Sequence, residues 1–351
     1  MKKITIKDIA KLANVSVSTV SRVINNDAGV AAETQDRIER IIKQENYQPS
    51  MIARGMVSQK TRMIAVIVSD ITNPYFHELV AALEKKLLNS GYSLSLFDSQ
   101  TALTLDAKNG VSVEVETINR IRKNHFDATI ILGGLVDRIS IPSPYLEALK
   151  NLVNEMPTIV IGSIAVKNLI HSENLIYLNR DQSIPIKLLI NYMLRKKYQN
   201  FIFIGGNDSA WITKMRTDAF KETLVNNHID VKNLTILNNN FYAEDGYNAA
   251  KYIIKNQIDF DAVVAINDRV ASGFLRGIRD LSNREFLDFG LGSCEFFEES
   301  RFNIPRITSV DHNIALLGST ISNSLIRSLE GLTIQPITLD VTPKLVIGET
   351  C

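Results

Sequence analysis

Six short apolar runs recur along this chain, and they restrict its fold more than any other feature. They are MIAVIV (63–68), YSLSLF (92–97), ATIIL (128–132), TIVI (158–161), NFIFI (200–204) and AVVAI (262–266). A strand with one wet face alternates apolar and polar residues, whereas successive apolar residues need cover on both faces, as in a parallel sheet between layers of helices. The intervals supply those helices. Between the first two runs Asn73 and Pro74 stand as N-cap and first helical position, Leu79, Leu83 and Leu87 recur at helical spacing, and Gly91 can end the helix. Repetition of this unit predicts a doubly wound α/β architecture, in which ligands bind beyond the carboxyl ends of the strands.

Residues 1–46 contain no such run and read as three short helices, Ile6–Ala13, Val17–Ile24 and Glu33–Gln44, with Ile38, Ile41 and Ile42 forming an apolar stripe on the third. A chain of 351 residues exceeds one ordinary core and implies two or three folding units. Charge separates them. Residues 1–60 hold ten Lys and Arg against six Asp and Glu, so the overall +1 hides an amino-terminal segment of +4 and a remainder of −3. Only the amino-terminal segment suits a polyanion. Asp8 and Lys11 interrupt any secretory apolar segment, no run is long enough to span a bilayer, and Cys294 and Cys351 alone make neither a disulfide framework nor a zinc site. The expectation is a cytoplasmic protein with no membrane partner and no cofactor.

The stretch from Thr5 to Asn25 has the features of a helix-turn-helix. Ala10 permits close helix crossing, Asn14 suits a turn with positive φ, Val15 and Val20 fill the interface, and Thr5 and Ser16 stand at N-caps. The second helix then presents Val17, Ser18, Ser21 and Arg22 outward, a set able to meet bases and phosphates in a major groove.

These residues resemble the LacI/GalR family of repressors, whose Val-Ser-x-x-Thr-Val-Ser-Arg-Val-x-Asn pattern stands intact from Val15 to Asn25. The match continues through Tyr47-x-Pro49, Ala53-Arg54 and Asn73-Pro74-Tyr75-Phe76, and resumes at Asn267-Asp268 and Ile307-Thr308-Ser309-Val310. The resemblance implies a DNA-binding domain (1–46), a hinge (47–60) and an effector-binding and dimerisation domain (61–343) ending in a tail (344–351). It divides that domain into a near lobe of residues 61–162 and 292–322 and a far lobe of residues 163–291 and 323–343, resembling periplasmic sugar-binding proteins. The implied partners are double-stranded operator DNA, a small-molecule effector, preferably a sugar, and a second copy in a homodimer or tetramer. Thr5, Ser16, Val17, Ser18, Ser21, Arg22 and Asn25 would contact operator. Residues 50–57 would form a hinge helix with Met56 as the minor-groove wedge and Ala53 as a further DNA contact.

The same resemblance assigns effector contacts to Ser69, Asp70, Tyr75, Phe76, Arg216, Phe241 and Asn267, with Cys294 or Glu295 at an acidic position and His312 where glutamine is frequent. Planar polar groups and aromatic faces suit the hydroxyls and apolar faces of a sugar. Gly162 replaces an acid seen in sugar-responsive members. Taken singly, Tyr75, Phe76 and Phe241 also read as core residues, and Asp70 and Asn267 as helix caps. A purine, a sugar phosphate or a protein corepressor are alternative signals, and a sugar-binding α/β protein with an incidental helical appendage is the reading from another class. Enzyme readings are weaker: Gly205-Gly206-Asn207 lacks the rest of a phosphate loop, the five histidines show no metal-ligand pairing, and there is no Gly-x-Ser-x-Gly elbow.

Overall fold

The computed structural model describes residues 4–24, 29–45, 47, 60–101, 107–178, 180–232, 234–282, 288–332 and 342–351. It forms two compact units, one of residues 1–63 with 125–127, the other of the remaining chain.

In the first unit α1 (Ile6–Leu12), α2 (Val17–Ile24) and α3 (Ala32–Gln44) enclose Ile9, Ala10, Ala13, Val20, Val23, Ile38 and Tyr47. Helix α1 stops because Asn14 takes φ +51°, after which the Val15 N–H donates back to the Ala10 carbonyl at 3.0 Å. Asparagine tolerates that left-handed geometry better than most residues. Ser16 starts α2, its Oγ accepting from the Thr19 N–H at 3.1 Å.

The second unit holds two sheets. The first has the order β2 (Ser93–Asp98), β1 (Met63–Val68), β3 (Ala128–Leu132), β4 (Thr158–Ile161), β5 (Leu175–Leu178), and pairing is parallel from β1 through β3 and β4 to β5. The second has the order β11 (Lys344–Val346), β10 (Thr308–Asp311), β9 (Gly290–Ser293), β8 (Ala262–Ala265), β6 (Phe201–Ile204), β7 (Thr235–Leu237), parallel except for β11 against β10. All six apolar runs are strands. In lobe one, α4 (Pro74–Asn89) and α12 (Ile314–Leu329) cover the sheet, burying Leu79, Leu83, Leu87, Leu317, Ile321 and Leu325 with β1 and β3. The remaining lobe-one helices are α5 (Ala107–Lys123), α6 (Ser143–Glu155) and α7 (Ile164–Leu169). Lobe two has α8 (Ser183–Arg195), α9 (Trp211–Asn226), α10 (Ala243–Lys255) and α11 (Asp268–Leu281).

The lobes divide differently from the expected boundaries. Residues 163–178 belong to lobe one through β5, β9 and β10 belong to lobe two, and all of α12 belongs to lobe one. The tail at 344–351 is also built in: β11 pairs with β10, and Thr350 Oγ1 donates to the Leu291 carbonyl at 2.7 Å. The boundary near 292 fails because it cuts β9, whose sequence Gly-Leu-Gly-Ser has no apolar run to announce it. The strand is buried by its neighbours instead. A Cβ on Gly292 would lie 2.7 Å from Leu189 Cδ2, and one on Gly290 would lie 2.7 Å from the Tyr198 ring.

Helices α10 and α11 meet backbone to backbone. A Cβ on Gly246 would come within 1.9 Å of the Val270 carbonyl oxygen, and one on Gly273 within 1.8 Å of the Ala243 oxygen. These neighbours are main-chain atoms and cannot rotate away. Gly246→Ala and Gly273→Ala should therefore each destabilise lobe two by about 1–3 kcal/mol, the usual cost of forced overpacking. Gly110→Ala is the control: its nearest neighbour, Thr101 Cγ2, would be at 3.5 Å, so thermal unfolding should be unchanged or slightly raised by helix propensity.

Candidate functional site

On α2, Val17, Ser18 and Arg22 are exposed, as are Thr5 and Ser16 at the two helix starts. The Thr5 N–H and hydroxyl both donate to Asp8 Oδ2, at 2.9 and 2.7 Å, and the Ser16 hydroxyl shares hydrogen bonds with those of Ser18 and Thr19. Ser21 departs from the expected outward set. It is buried at 6% exposure, because it lies on the helix beside Val20 and Ile24, which pack on the unit's core. The exposed part of the expected set is Val17, Ser18 and Arg22 with the two caps. Asn25, Ala53 and Met56 lie outside the described residues.

In the second unit a cavity of ≈ 350 Å³ lies between the two lobes. From lobe one it is lined by Ser69 and Asp70 beyond β1, by Asn73, Tyr75 and Phe76 at the start of α4, and by Gly133 to Arg138, excepting Leu135 and Val136, beyond β3. From lobe two come Asn207, Ser209, Trp211, Asn240, Phe241, Tyr242, Asn267 and Glu295, with Arg180 and Gln182 on the segment between β5 and α8. Both sheets thus present their carboxyl ends, where such folds hold ligands. Polar bonds cross the gap: Tyr242 Oη donates to Asp70 Oδ2 at 3.1 Å, Arg138 Nη1 to Ser209 Oγ at 2.6 Å, and Arg269 to the Thr72 carbonyl.

Of the expected effector residues, Ser69, Asp70, Tyr75, Phe76, Phe241, Asn267 and Glu295 line the cavity, and Arg216, Cys294 and His312 stand behind its wall. Arg216 is 1% exposed. Its Nη1 donates to the Ile266 carbonyl at 2.7 Å, and its Nη2 to Gln182 Oε1 at 2.8 Å and Glu295 Oε1 at 3.0 Å. It braces the wall through two side chains that do reach the cavity. Cys294 points into the lobe-two core, where burial pushes its thiol up to about 12. His312 Nε2 pairs with the Cys294 carbonyl at 2.8 Å, and burial with two nearby arginines keeps the ring neutral. Asn267 and Asn73 also cap helices, Asn267 Oδ1 accepting from the Val270 N–H at 2.9 Å and Asn73 Oδ1 from the Tyr75 N–H at 3.1 Å, whereas Asp70 caps none: its Oδ1 accepts from the Thr72 N–H and hydroxyl in the turn before α4.

Several wall residues were invisible to sequence reasoning. Arg180 and Gln182 follow β5, a strand whose LIYL sequence gave only four residues of signal. Arg138 and Asp137 follow a 3₁₀ turn after β3, Gly134–Asp137. Trp211, the single tryptophan at the first position of α9, was missed as well. Gly162 also lines the cavity, and a Cβ there would lie 2.8 Å from the Val136 carbonyl oxygen, which bars any side chain. Gly205 and Gly206, at φ +87° and +86°, make the turn that places Asn207, whose N–H donates to Thr213 Oγ1 at 3.0 Å. Among the described residues no group of three or more His, Cys, Asp or Glu is placed to hold a metal, and no helix is long and apolar enough to cross a membrane.

Removing Arg216 would leave Glu295 buried without its counter-charge. Arg216→Ala should lower lobe-two stability by about 3–5 kcal/mol, as for other broken buried pairs. Arg216→Met combined with Glu295→Gln should recover part of the loss, and urea unfolding of the two variants measures the difference.

Glu114 on α5 lies behind the lobe-one wall. Burial pushes its carboxyl up to about 7, although the Thr101 hydroxyl at 2.6 Å, the Leu135 N–H at 3.2 Å and the Ser99 hydroxyl at 3.2 Å all donate to it. Gly134, at φ +79°, is pressed onto it, since a Cβ there would come within 2.3 Å of Oε1. A folded value above the ordinary 4.5 means that the native state keeps this proton longer than the unfolded chain. The stability from the neutral acid is complete below 4.5 and is lost as pH rises to about 7. Glu114→Gln removes that titration, so the thermal midpoint of the variant relative to wild type should rise as pH is raised through this window.

Comparison with known proteins places both units. The family described as "Bacterial regulatory proteins, lacI family" matches residues 5–50, and "Periplasmic binding protein-like domain" matches residues 190–351. Catabolite control protein A of Staphylococcus xylosus is 29% identical over 279 residues, 79% of this chain and 78% of its own length. The ribose operon repressor of Halalkalibacterium halodurans is 24% identical over 346 residues, 99% and 96% of the two lengths. The transcriptional repressor PurR of Pasteurella multocida is 27% identical over 350 residues, 99% and 98%. The fold is that of the lac repressor dimer bound to operator and the anti-inducer ONPF, with TM-score 0.84, 20% identity and 99% of each chain covered. A CelR–cellobiose complex superposes at TM-score 0.69 and 20% identity, over 99% of this chain and 100% of the other. These relatives are regulators, and the helix-turn-helix and two-lobed domain described above are theirs. The chain carries a lacI-family DNA-binding domain followed by a periplasmic-binding-protein-like domain and is a DNA-binding transcription regulator.

Proposed function

We propose that the protein is a homodimeric repressor of carbohydrate-utilisation genes whose affinity for operator DNA is set by a small sugar held in the interlobe cavity. The observation that carries this reading is the composition of the wall. Trp211, Phe241, Tyr75 and Phe76 offer aromatic faces, and Asn73, Gln182, Asn207 and Asn240 offer planar amides, the pairing that suits the apolar faces and hydroxyls of a sugar ring. The names of relatives point the same way, one being a ribose operon repressor and one solved family member from Enterococcus faecium holding bound ribose, at 20% identity and TM-score 0.66 over 82% of this chain and 98% of the other. Thr5, Ser16, Val17, Ser18 and Arg22 are proposed to meet the operator, with Asn25, Ala53 and the minor-groove wedge Met56. No catalysis is assigned.

A duplex selected from randomised sequences by the full chain provides the probe. Its affinity should fall with salt at a slope of roughly −0.9 per phosphate neutralised. Arg22→Ala should cost about 1–3 kcal/mol and relax preference at one base of each half-site, whereas equal weakening on all sequences assigns Arg22 to a phosphate. Titration of the complex with pentoses, hexoses and disaccharides should change duplex affinity by about 5–150-fold for the cognate sugar, the usual range of coupling between sites. A chain that selects no sequence sinks the repressor reading, and one that responds only to nucleobases replaces the sugar.

A further inference from the structure

The charges on the cavity wall are unequally matched. Glu295 is neutralised at 3.0 Å by Arg216 from behind, and both Asp70 oxygens accept hydrogen bonds from neighbouring groups. The two arginines on the wall have no such balance. Among the described residues neither Arg138 nor Arg180 forms an ion pair, and their hydrogen bonds go to neutral hydroxyls, Arg138 to Ser209 Oγ at 2.6 Å and Arg180 Nη1 to Tyr75 Oη at 2.7 Å. Asp137, the remaining acid on the wall, is pushed by burial up to about 7, and a backbone N–H, that of Ile212, already donates to it.

Arg180 is the better placed of the two. A guanidinium carries five N–H donors in a rigid fork. Among the described residues only Tyr75 takes one, and the group lies over its ring at 5.4 Å, so Tyr75 fixes its plane while leaving most of the fork unspent. Half-buried guanidinium without a counter-charge costs stability unless a partner arrives, and the partner that matches a planar fork is a carboxylate or phosphate. Arg180 also stands on the segment joining β5 of lobe one to α8 of lobe two, so an anion bound there engages the connection between the lobes.

We propose that the effector carries an anionic group, a phosphate monoester or a carboxylate, and that Arg180 is the residue that receives it. This rests on the interlobe cavity being the effector site. The full chain supplies its own probe, because Trp211, its single tryptophan, lines the cavity. Binding is measured by calorimetry and Trp211 fluorescence for ribose against ribose 5-phosphate, for glucose against glucose 6-phosphate and glucuronate, and for inorganic phosphate alone. At least one acidic compound should bind about tenfold or more tighter than its neutral parent, and Arg180→Gln should weaken it by roughly 10–100-fold, so that most of its advantage over the neutral parent is lost. Arg180→Lys, which keeps the charge without the fork, should fall between. The phosphate and uronate arms identify which anion is read. The proposal is overturned if the neutral parent binds as tightly, if no acidic compound binds up to about 10 mM, if inorganic phosphate alone binds as tightly as the sugar derivatives, or if Arg180→Gln binds as wild type. Affinity for the selected duplex, measured on the same samples, separates the two readings: a neutral sugar that shifts duplex affinity supports the repressor assignment while overturning the anionic effector, and a chain that binds no duplex sinks the repressor assignment whatever Arg180 does.

Discussion

A guanidinium with 1% of its surface exposed must have its donors filled inside the protein, and the way Arg216 satisfies this requirement organises lobe two. It rises from α9 and reaches three separate segments: Gln182 at the start of the second lobe, the Ile266 carbonyl just beyond β8, and Glu295 just beyond β9. Each of these lies at the carboxyl end of the parallel sheet or at the entry to the lobe. One buried cation therefore fixes the mutual positions of loops that share no other sequence relationship. The desolvation cost is met because charge-assisted bonds inside a protein are stronger than neutral ones and because a carboxylate completes the set. Glu295 and Gln182, held in this way, present their remaining atoms to the cavity as a preorganised wall.

The sequence was most legible where a physical requirement falls on consecutive residues. Strands buried on both faces must be apolar throughout, so β1, β3, β4, β6 and β8 were plain. The turn of the helix-turn-helix was equally plain, because Asn14 and Ser16 are the residue types that a left-handed turn and an N-cap demand. Strand β9 was hidden because its burial is supplied by Leu189, Met193 and Tyr198 folding over glycines, a property of residues about a hundred positions away. The lobe boundaries failed for the same reason. Nothing in a linear sequence states that α12 packs on α4 of lobe one, with Gly318 against Ala82, while the strands on either side of it join lobe two.

The candidate site shows a finer version of this limit. A sequence motif can state that an arginine, an acid and an amide lie near a ligand, but not which surface each turns toward the ligand. Arg216, Cys294 and His312 all lie within reach of the wall, yet none forms it. Cys294 and Glu295 are neighbours in sequence and point to opposite sides, as adjacent residues at the end of a strand must. The alternation puts the thiol in the core and the carboxylate at the cavity. Conversely, Arg180 and Trp211 carry no periodic signal, since each is a single side chain in a connecting segment or at a helix start, and their placement depends on tertiary packing.

The bonds that already join the lobes set what any effector has to achieve. Among the described residues they include Tyr242 to Asp70, Arg138 to Ser209, Arg269 to the Thr72 carbonyl, the Ile139 N–H to the Ser209 carbonyl and the Glu298 N–H to Glu78, and each net hydrogen bond contributes about 0.5–1.5 kcal/mol, or 1.5–3 where one partner is charged. Individual bonds of this strength hold one orientation of the lobes without making another inaccessible. Carrying a two-state equilibrium from 1:99 to 99:1 takes about 5.5 kcal/mol of differential affinity. One polar contact falls short of that, and a ligand bound equally well in both orientations contributes nothing however tight it is. Under the proposed function an effector would engage both walls, with aromatic faces such as Trp211 and Phe241 available on lobe two and Asp70 or Tyr75 on lobe one. Competition for Asp70 sharpens the effect, because a ligand hydroxyl that takes the carboxylate from Tyr242 removes an interlobe bond in the act of binding. On the proposed function the cavity would therefore respond to which hydroxyls a ligand offers as well as to its size.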